Sequence, residues 1–456
     1  MASKSDLKFF SKRSQHFFAA LLLSMPLASY ASINITAPPY LAVGDGKTDD
    51  TAAFKSALAA TGAAGGGVIY VPAGQYVISG ILALPHGTTL EGDGEGATTI
   101  ESTLQGSPTL ILQGDYTKVK NMSVHFAGST AATDGTLGIY TATGPAAQGY
   151  AANNIELSHL EVSNFSHNIY IDGSVNGILS DISSHNAVHT GLVGLSAQGY
   201  WSNILVVANQ ADGIYLSTSH NAGGVAPFMT GIQTFSNGGW GIDTTMGITL
   251  GGMPSFLNND SQGELLIEGG SGADSGHVAN VDIQFAGQNA FYPTPGYPNV
   301  SNAPGIEVTS ASGPVRFTDV SMFNNNGTGM LLNVGSVQVS NVRILGSGAG
   351  GSGYCISSNG SNSTFTNVVC NTPSLISGNT TIVRDSQFSA NSNTLAILQI
   401  PSGQNLLIGD NVIYNGGTAP ALSISSGVTV ANSSNTVIGA VSNSGSASGY
   451  YTPMFH

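Results

Sequence analysis

The chain has 456 residues, 61 of them Gly, with 25 Asp plus Glu against 11 Lys plus Arg and only 8% charged residues. Average soluble proteins carry roughly 7% Gly and about 25% charged residues, so charge-rich disorder and coiled coils are excluded, and a net charge of -14 has the wrong sign for nucleic acid. The glycines follow no three-residue period, which excludes collagen, while 41% hydrophobic residues over this length can bury a large core in an all-β protein.

Lys4, Lys8, Lys12 and Arg13 precede an apolar run from Phe17 to Ala28 that ends in Ser29-Tyr30-Ala31. This pattern predicts an export signal over residues 1–31, cut near Ala31. The run is too short to be a mature membrane anchor, so a secreted or periplasmic protein is expected, with no membrane anchor and no nucleic-acid partner. Residues 32–456 then form a single domain: a cap and first strands over about 38–80, stacked coils over about 81–440 and a tail over 441–456. The remaining basic residues are Lys47, Lys55, Lys118, Lys120, Arg316, Arg343 and Arg384. Between Lys120 and Arg316 there is no Lys or Arg at all.

The segment Thr48 to Ala60 predicts a capping helix, with Thr48 or Asp49 as N-cap, Asp50 near the positive helix end, and Ala53, Phe54, Ala57 and Leu58 as its apolar stripe. Gly62 would end it, and Gly65-Gly66-Gly67 leads into a strand, Val68 to Val71, stopped by Pro72.

From about residue 150 onward, short β-like runs recur with Asn and Gly punctuation. Taking the residue before an Ile, Leu, Met or Tyr as an anchor gives Asn168, Gly191, Gly213, Gly241, Gly263, Gly305, Gly329 and Gly353. Asn164, Asn209, Asn237, Asn259 and Asn325 stand four residues before their anchors, and positions one and three after are mostly apolar. The position between them carries Tyr170, Val193, Tyr215, Asp243, Leu265, Glu307 and Leu331. Most repeats are 22 to 24 residues long, too short for a propeller blade of roughly 40 to 45 and without the Leu-x-x-Leu-x-Leu pattern of leucine-rich repeats. They fit the coils of a right-handed parallel β-helix solenoid, stacked about 4.8 Å apart, with the Asn column in left-handed turns. The long spacing before Gly305 holds the insertion Phe291 to Pro298, a candidate lid or subsite wall. Cys355 and Cys370 permit either one disulfide or two buried thiols.

The stretch Val43-Gly44-Asp45-Gly46-Lys47-Thr48-Asp49-Asp50-Thr51-Ala52-Ala53-Phe54, followed by Gly66-Gly67-Val68-Ile69-Tyr70-Val71-Pro72-Ala73-Gly74-Gln75-Tyr76, resembles the N-terminal signature of the rhamnogalacturonase/epimerase-like pectate lyase superfamily. The resemblance implies a right-handed β-helix with a short N-terminal capping helix, and a polysaccharide or oligosaccharide partner. It implies no particular reaction, because these residues build the cap. Tailspikes share this opening, which leaves a homotrimer open.

Candidate chemistry lies on outward positions of consecutive coils. Asp212 and Asp243 fall roughly 7 to 11 Å apart by coil stacking and strand rise, overlapping the about 6.5 to 9.5 Å of an inverting glycosidase. Glu264 and Glu268 follow on the next coil, and Glu307 shares the column of Asp243. Asn209-x-x-Asp212-Gly213 is similar to the Asn-Thr-Asp-Gly element of polygalacturonase-type hydrolases, which implies that Asp212 and Asp243 belong to their acidic group. That family's paired Asp-Asp is reduced here to Asp243, its Gly-His-Gly to Gly276-His277-Val278, and its Arg-Ile-Lys is absent.

His189, Tyr215, Trp240, Trp201, His167 and Tyr170 are candidate sugar-binding residues, since flat aromatic faces stack on sugar rings. The first functional expectation is glycoside hydrolysis or glycosyl transfer without a cofactor. The second is a lyase or uronate epimerase using His and Tyr, because Tyr170-Ile171-Asp172 followed by Asp181 and His185 resembles mannuronan epimerases. Uronate chemistry normally places Arg, Lys or a divalent cation beside the carboxylate; with no local Lys or Arg, calcium on Asp172 or Asp212 could substitute, so this alternative stands with or without calcium. The third is a noncatalytic glycan-binding or adhesive solenoid.

Overall fold

The computed structural model describes residues 32–448 with 452 and 453, except 142–151, 175, 219–225, 259, 270–275, 287–299, 301, 312, 349–352 and 393. The predicted export signal, the insertion Phe291 to Pro298 and Asn259 therefore lie outside the described residues. No helix among the described residues is long and apolar enough to cross a membrane.

Each coil contributes strands that pair in parallel with their equivalents one coil before and one coil after, the arrangement of a parallel β-helix. One face is a 15-stranded sheet running from Leu82–Leu84 to Val441–Asn443. The other strands join into a 25-stranded sheet that wraps the rest of the coil. Stacking puts like residues over like. Ile139, Ile169, Leu192, Ile214, Ile242, Leu265, Ile306, Met330 and Ile356 form one unbroken interior column, and all are fully buried. At about 1.5–3 kcal/mol per buried aliphatic side chain, such columns supply the driving force that the scarce charges cannot.

The long strands of the larger sheet, such as Gly177–His185 and Gly199–Val207, bend at their middle. At the bends stand Asn121, His159, Asp181, Asn203, Gly231, Asn280, Asp319, Asn341 and Asn367, all with φ between +52° and +62°. Asn, Asp and Gly enter this left-handed region at least cost. Their side chains also bond along the stack: Asn203 Nδ2 donates to Asp181 Oδ1 at 3.0 Å and Asn367 Nδ2 to Asn341 Oδ1 at 2.8 Å.

The expected Asn column divides into two. Asn164 does adopt φ +68°, in line with Asn186, Ala208, Ser236 and Asn324 on other coils. Asn209 and Asn237 come one residue after the left-handed position and point inward instead. There the Asn209 N–H and Nδ2 donate to Asn237 Oδ1 at 3.1 and 2.9 Å, and the Asn237 N–H and Nδ2 donate to Asp260 Oδ1 at 2.7 and 2.8 Å. A buried amide ladder thus pairs backbone groups that the turn would leave unsatisfied.

Two anchors are also displaced. Trp240 pairs with Gly263 and Ile242 with Leu265, so the anchor is Glu264 and the outward residue is Leu266 rather than Leu265. Met330 pairs with Ile356, which makes Cys355 the anchor in place of Gly353. Cys355 and Cys370 form a disulfide, which in the chain-entropy model contributes about 3 kcal/mol.

A single helix lies among the described residues, Thr51–Ala63, three residues later than the sequence suggests. Residues Asp45–Asp49 extend as a strand against Gly74–Ile78 instead. Asp50 occupies the N-cap position without a side-chain capping bond, because its carboxylate accepts the Val43 and Gly44 N–H groups at 2.6 and 3.1 Å. Asp49 Oδ1 accepts the Thr51 N–H at 3.0 Å. Phe54, Ala57 and Leu58 are buried as expected, with Ala53 half-buried, and Phe54 meets Tyr76 edge-on at 5.6 Å.

Candidate functional site

The 15-stranded sheet turns one residue per coil toward the middle of its outer face, although Val193 and Leu266 are covered there. In register these are Tyr140, Tyr170, Val193, Tyr215, Asp243, Leu266, Glu307, Leu331 and Ser357. Strand alternation aims them outward, since their neighbours on either side, such as Ile242 and Thr244 around Asp243, are buried. Aromatic residues occupy the early coils of this stretch and carboxylic acids the later ones.

Asp243 is the centre of the acidic part. Its Oδ1 is buried and has no hydrogen-bond partner among the described residues. Burial, with the charges of Asp212 and Glu268 nearby, pushes its pKa up to about 7. Asp212 lies one coil back and its Oδ1 accepts the Trp240 N–H at 2.8 Å. Burial raises the Asp212 pKa, the Trp240 N–H works against that rise, and the charge of Glu268 adds to it. Glu307, two coils beyond Asp243, is likewise raised by burial first and Glu268 second. Glu268 is therefore within electrostatic reach of Asp212, Asp243 and Glu307, which brings four of the five expected acids to a single face.

Glu264 does not join them. It falls in the column of Gly213 and Gly241 at the turn, is fully buried, and its Oε1 accepts the Asp260 N–H at 3.0 Å. Asp260, whose Oδ2 also accepts the Thr234 hydroxyl at 2.7 Å, has its pKa raised by burial to about 6. Sequence reasoning missed Asp260; once the anchor moves to Glu264, Asp260 takes the ladder position four residues earlier.

The aromatic expectations divide in the same way. Tyr215 pairs in register with Asp243, and Tyr170 with Tyr140, the two tyrosine rings lying 5.8 Å apart. Trp240 lines a cleft of about 320 Å3 together with Gln262, Asn302, Pro304 and Glu307. Trp201 is a correction. It is buried in the core, where its ring fills the space beside Gly194, whose Cβ, if present, would lie 2.8 Å from the indole.

His167 and His189 lie on the same face, ring centroids 5.5 Å apart, with His167 5.8 Å from the Tyr170 ring and His189 Nε2 2.9 Å from Asp134 Oδ1. Burial and then His189 lower the His167 pKa, while burial and then Asp172 raise that of Tyr170. Asp181 and His185, expected beside Tyr170, belong to Gly177–His185 in the larger sheet. There His185 Nε2 contacts Glu161 Oε1 at 2.9 Å. His277 is also on the larger sheet, in Gly276–Gln284, away from the acids. Among the described residues, no three His, Cys, Asp or Glu side chains are grouped to hold a metal ion.

Residues 33–243 match the family described as "Rhamnogalacturonase A/epimerase, pectate lyase-like". In sequence, the chain is 31% identical over 201 residues to mannuronan C5-epimerase AlgE6 of Azotobacter vinelandii, covering 40% of this chain and 22% of that protein. It is 46% identical over 67 residues to mannuronan C5-epimerase AlgE1 of the same organism, covering 13% and 5%. The chain thus spans less than a quarter of the length of these curated relatives. In structure, it resembles the A-module of the Azotobacter vinelandii epimerase AlgE6 with a TM-score of 0.56 at 19% identity, over 92% of this chain and 100% of that one, which is a likeness of fold. Over residues 33–243 the chain thus carries the sequence pattern of the rhamnogalacturonase/epimerase, pectate lyase-like family, and across the described residues its coils stack as a parallel β-helix like that of the epimerase A-module.

Proposed function

We propose that the protein is a carbohydrate-active enzyme that binds a polysaccharide along the outer face of the 15-stranded sheet and hydrolyses its glycosidic bonds. The observation that carries this reading is Asp243, an outward carboxylic acid whose pKa of about 7 keeps much of it protonated at neutral pH. A glycosidase needs one carboxyl group to protonate the leaving oxygen and an ionised one to activate water. Asp243 fits the acid. Asp212, oriented by the Trp240 N–H, fits the base, and the aromatic residues of the earlier coils offer faces for sugar rings. No Lys or Arg between residues 121 and 315 is available to hold a uronate carboxylate, which favours a neutral sugar at the scissile bond.

A second reading, epimerisation or β-elimination of a uronate, is favoured by the similarity to the mannuronan epimerases and by the His167, His189 and Tyr170 group. Here His167, held neutral by burial, would take the C5 proton and Tyr170 would return one. Incubation with neutral glucans and with polyuronates separates the readings. Hydrolysis releases new reducing ends from a neutral glycan, elimination gives unsaturated uronate absorbance, and epimerisation changes C5 configuration by NMR. If neutral glycans release no reducing ends while a polyuronate is altered, the hydrolase reading fails.

A further inference from the structure

We propose that a second glycan-binding site, specific for an anionic sugar unit, lies on the larger sheet, separate from the acidic face. The strands Gly276–Gln284, Val315–Phe323 and Val337–Leu345 stack in register there. One outward column reads Asp282, Ser321, Arg343 and the next reads Gln284, Phe323, Leu345. These six residues, with Met322, line a cleft of about 240 Å3.

The lining has the parts that a uronate needs. Phe323 is 44% exposed and offers a flat apolar face to the C–H side of a pyranose ring. Gln284 Nε2 donates to Asp282 Oδ2 at 2.9 Å, so an amide and a carboxylate stand together where sugar hydroxyls can exchange bonds with them. Arg343 provides the charge. Its neighbours in register are Ser321 and Val369, and Asp282 is two coil steps away, about 9.6 Å along the stack. Among the described residues, no carboxylate lies within ion-pair distance of the Arg343 guanidinium. In a chain of net charge -14, an exposed arginine without an acidic partner, beside an aromatic face and in a concave site, is complementary to a carboxylate carried on a sugar. Guanidinium also presents a fork that matches a carboxylate bidentately.

The occupant is therefore a uronate unit of an acidic glycan. This site is independent of the reaction on the other face, and a polysaccharide with both neutral and uronate units would engage both.

Calorimetric titration of the protein with trigalacturonate, trimannuronate and cellotriose tests this, using Asp243→Asn as the background so that turnover does not deplete the probe. At least one uronate trisaccharide is expected to bind. Arg343→Gln should weaken it roughly tenfold or more, as expected for a lost charge-assisted hydrogen bond, and added salt should weaken the unsubstituted site in the same direction. Phe323→Ala should weaken the same ligand while leaving the melting temperature within a few degrees. The proposal is overturned if no uronate trisaccharide binds, if Arg343→Gln binds it as tightly as the parent, or if cellotriose binds equally well with the same dependence on Arg343. Loss or retention of hydrolysis in the unsubstituted protein reads the acidic face separately.

Discussion

The Trp240 N–H donates to Asp212 Oδ1 at 2.8 Å, so the strand that carries Asp243 is tied at its first residue to a carboxylate of the preceding coil. Asp212 is thereby fixed in orientation relative to Asp243, as two carboxyl groups with different tasks require. Substitutions at the two positions should differ in kind. Asp243→Asn removes the proton donor and is expected to lower kcat by about 10²–10⁴-fold with little change in KM. Asp212→Asn should lower kcat and also perturb the Trp240 cleft, raising KM. Steady-state kinetics on the best neutral glycan checks both; if both variants keep full activity, the site is wrongly placed.

The raised pKa of Asp243 sets a pH limit. The acid form is active, so activity should fall as pH rises through about 7. Glu268 contributes to that rise through its negative charge. Glu268→Gln removes the charge, lowers the Asp243 pKa, and should shift the alkaline limb to lower pH. A pH–rate profile of the variant with an unmoved or alkaline-shifted limb would contradict this electrostatic arrangement.

Buried Asp260 predicts a stability effect of definite sign. Its pKa is about 6 in the fold against 3.8 as the ordinary value, so the folded state holds the proton more tightly than the unfolded chain. That advantage is complete below 3.8 and is lost as pH rises through 6. Asp260→Asn restores the residue type seen at Asn209 and Asn237 and removes the loss. The variant should gain about 2–3 kcal/mol relative to the parent between pH 4 and pH 7, read as a widening gap in melting temperature. A gap that closes with rising pH would show that the parent is ionised at no cost.

Gly241 faces the same buried acid. A Cβ there would sit 2.5 Å from Asp260 Oδ2 and from Thr234 Oγ1, and 2.7 Å from the Glu264 carbonyl oxygen. Gly241→Ala should therefore destabilise by about 1–3 kcal/mol, measurable as a lower denaturant midpoint, and should reduce activity because Asp243 is two residues away. An unchanged midpoint would mean that the turn can widen freely.

The stacked coils and the acidic residues were legible in the sequence because both depend on periodicity. Register was less so at two glycines. Gly263 resembles an anchor, but its role is to leave room for Trp240, whose ring an added Cβ would overlap. Trp201 looked like a sugar platform because composition does not say which sheet a strand joins; the void beside Gly194 decides that it points inward. Helix onset shifted because the Asp50 carboxylate bonds to Val43 and Gly44, seven and six residues upstream and beyond the reach of a local capping rule.

The outward column on the 15-stranded sheet has a consequence for how such a site can change. Its groups sit at whole multiples of the coil spacing, about 4.8 Å, so separations between Tyr215, Asp243 and Glu307 come in steps and cannot be tuned continuously. Insertion of one complete coil between Asp212 and Asp243 would keep every hydrophobic column intact and leave a folded protein, while moving its acid and base apart by one full step. In this architecture a change of activity needs no intermediate of poor stability.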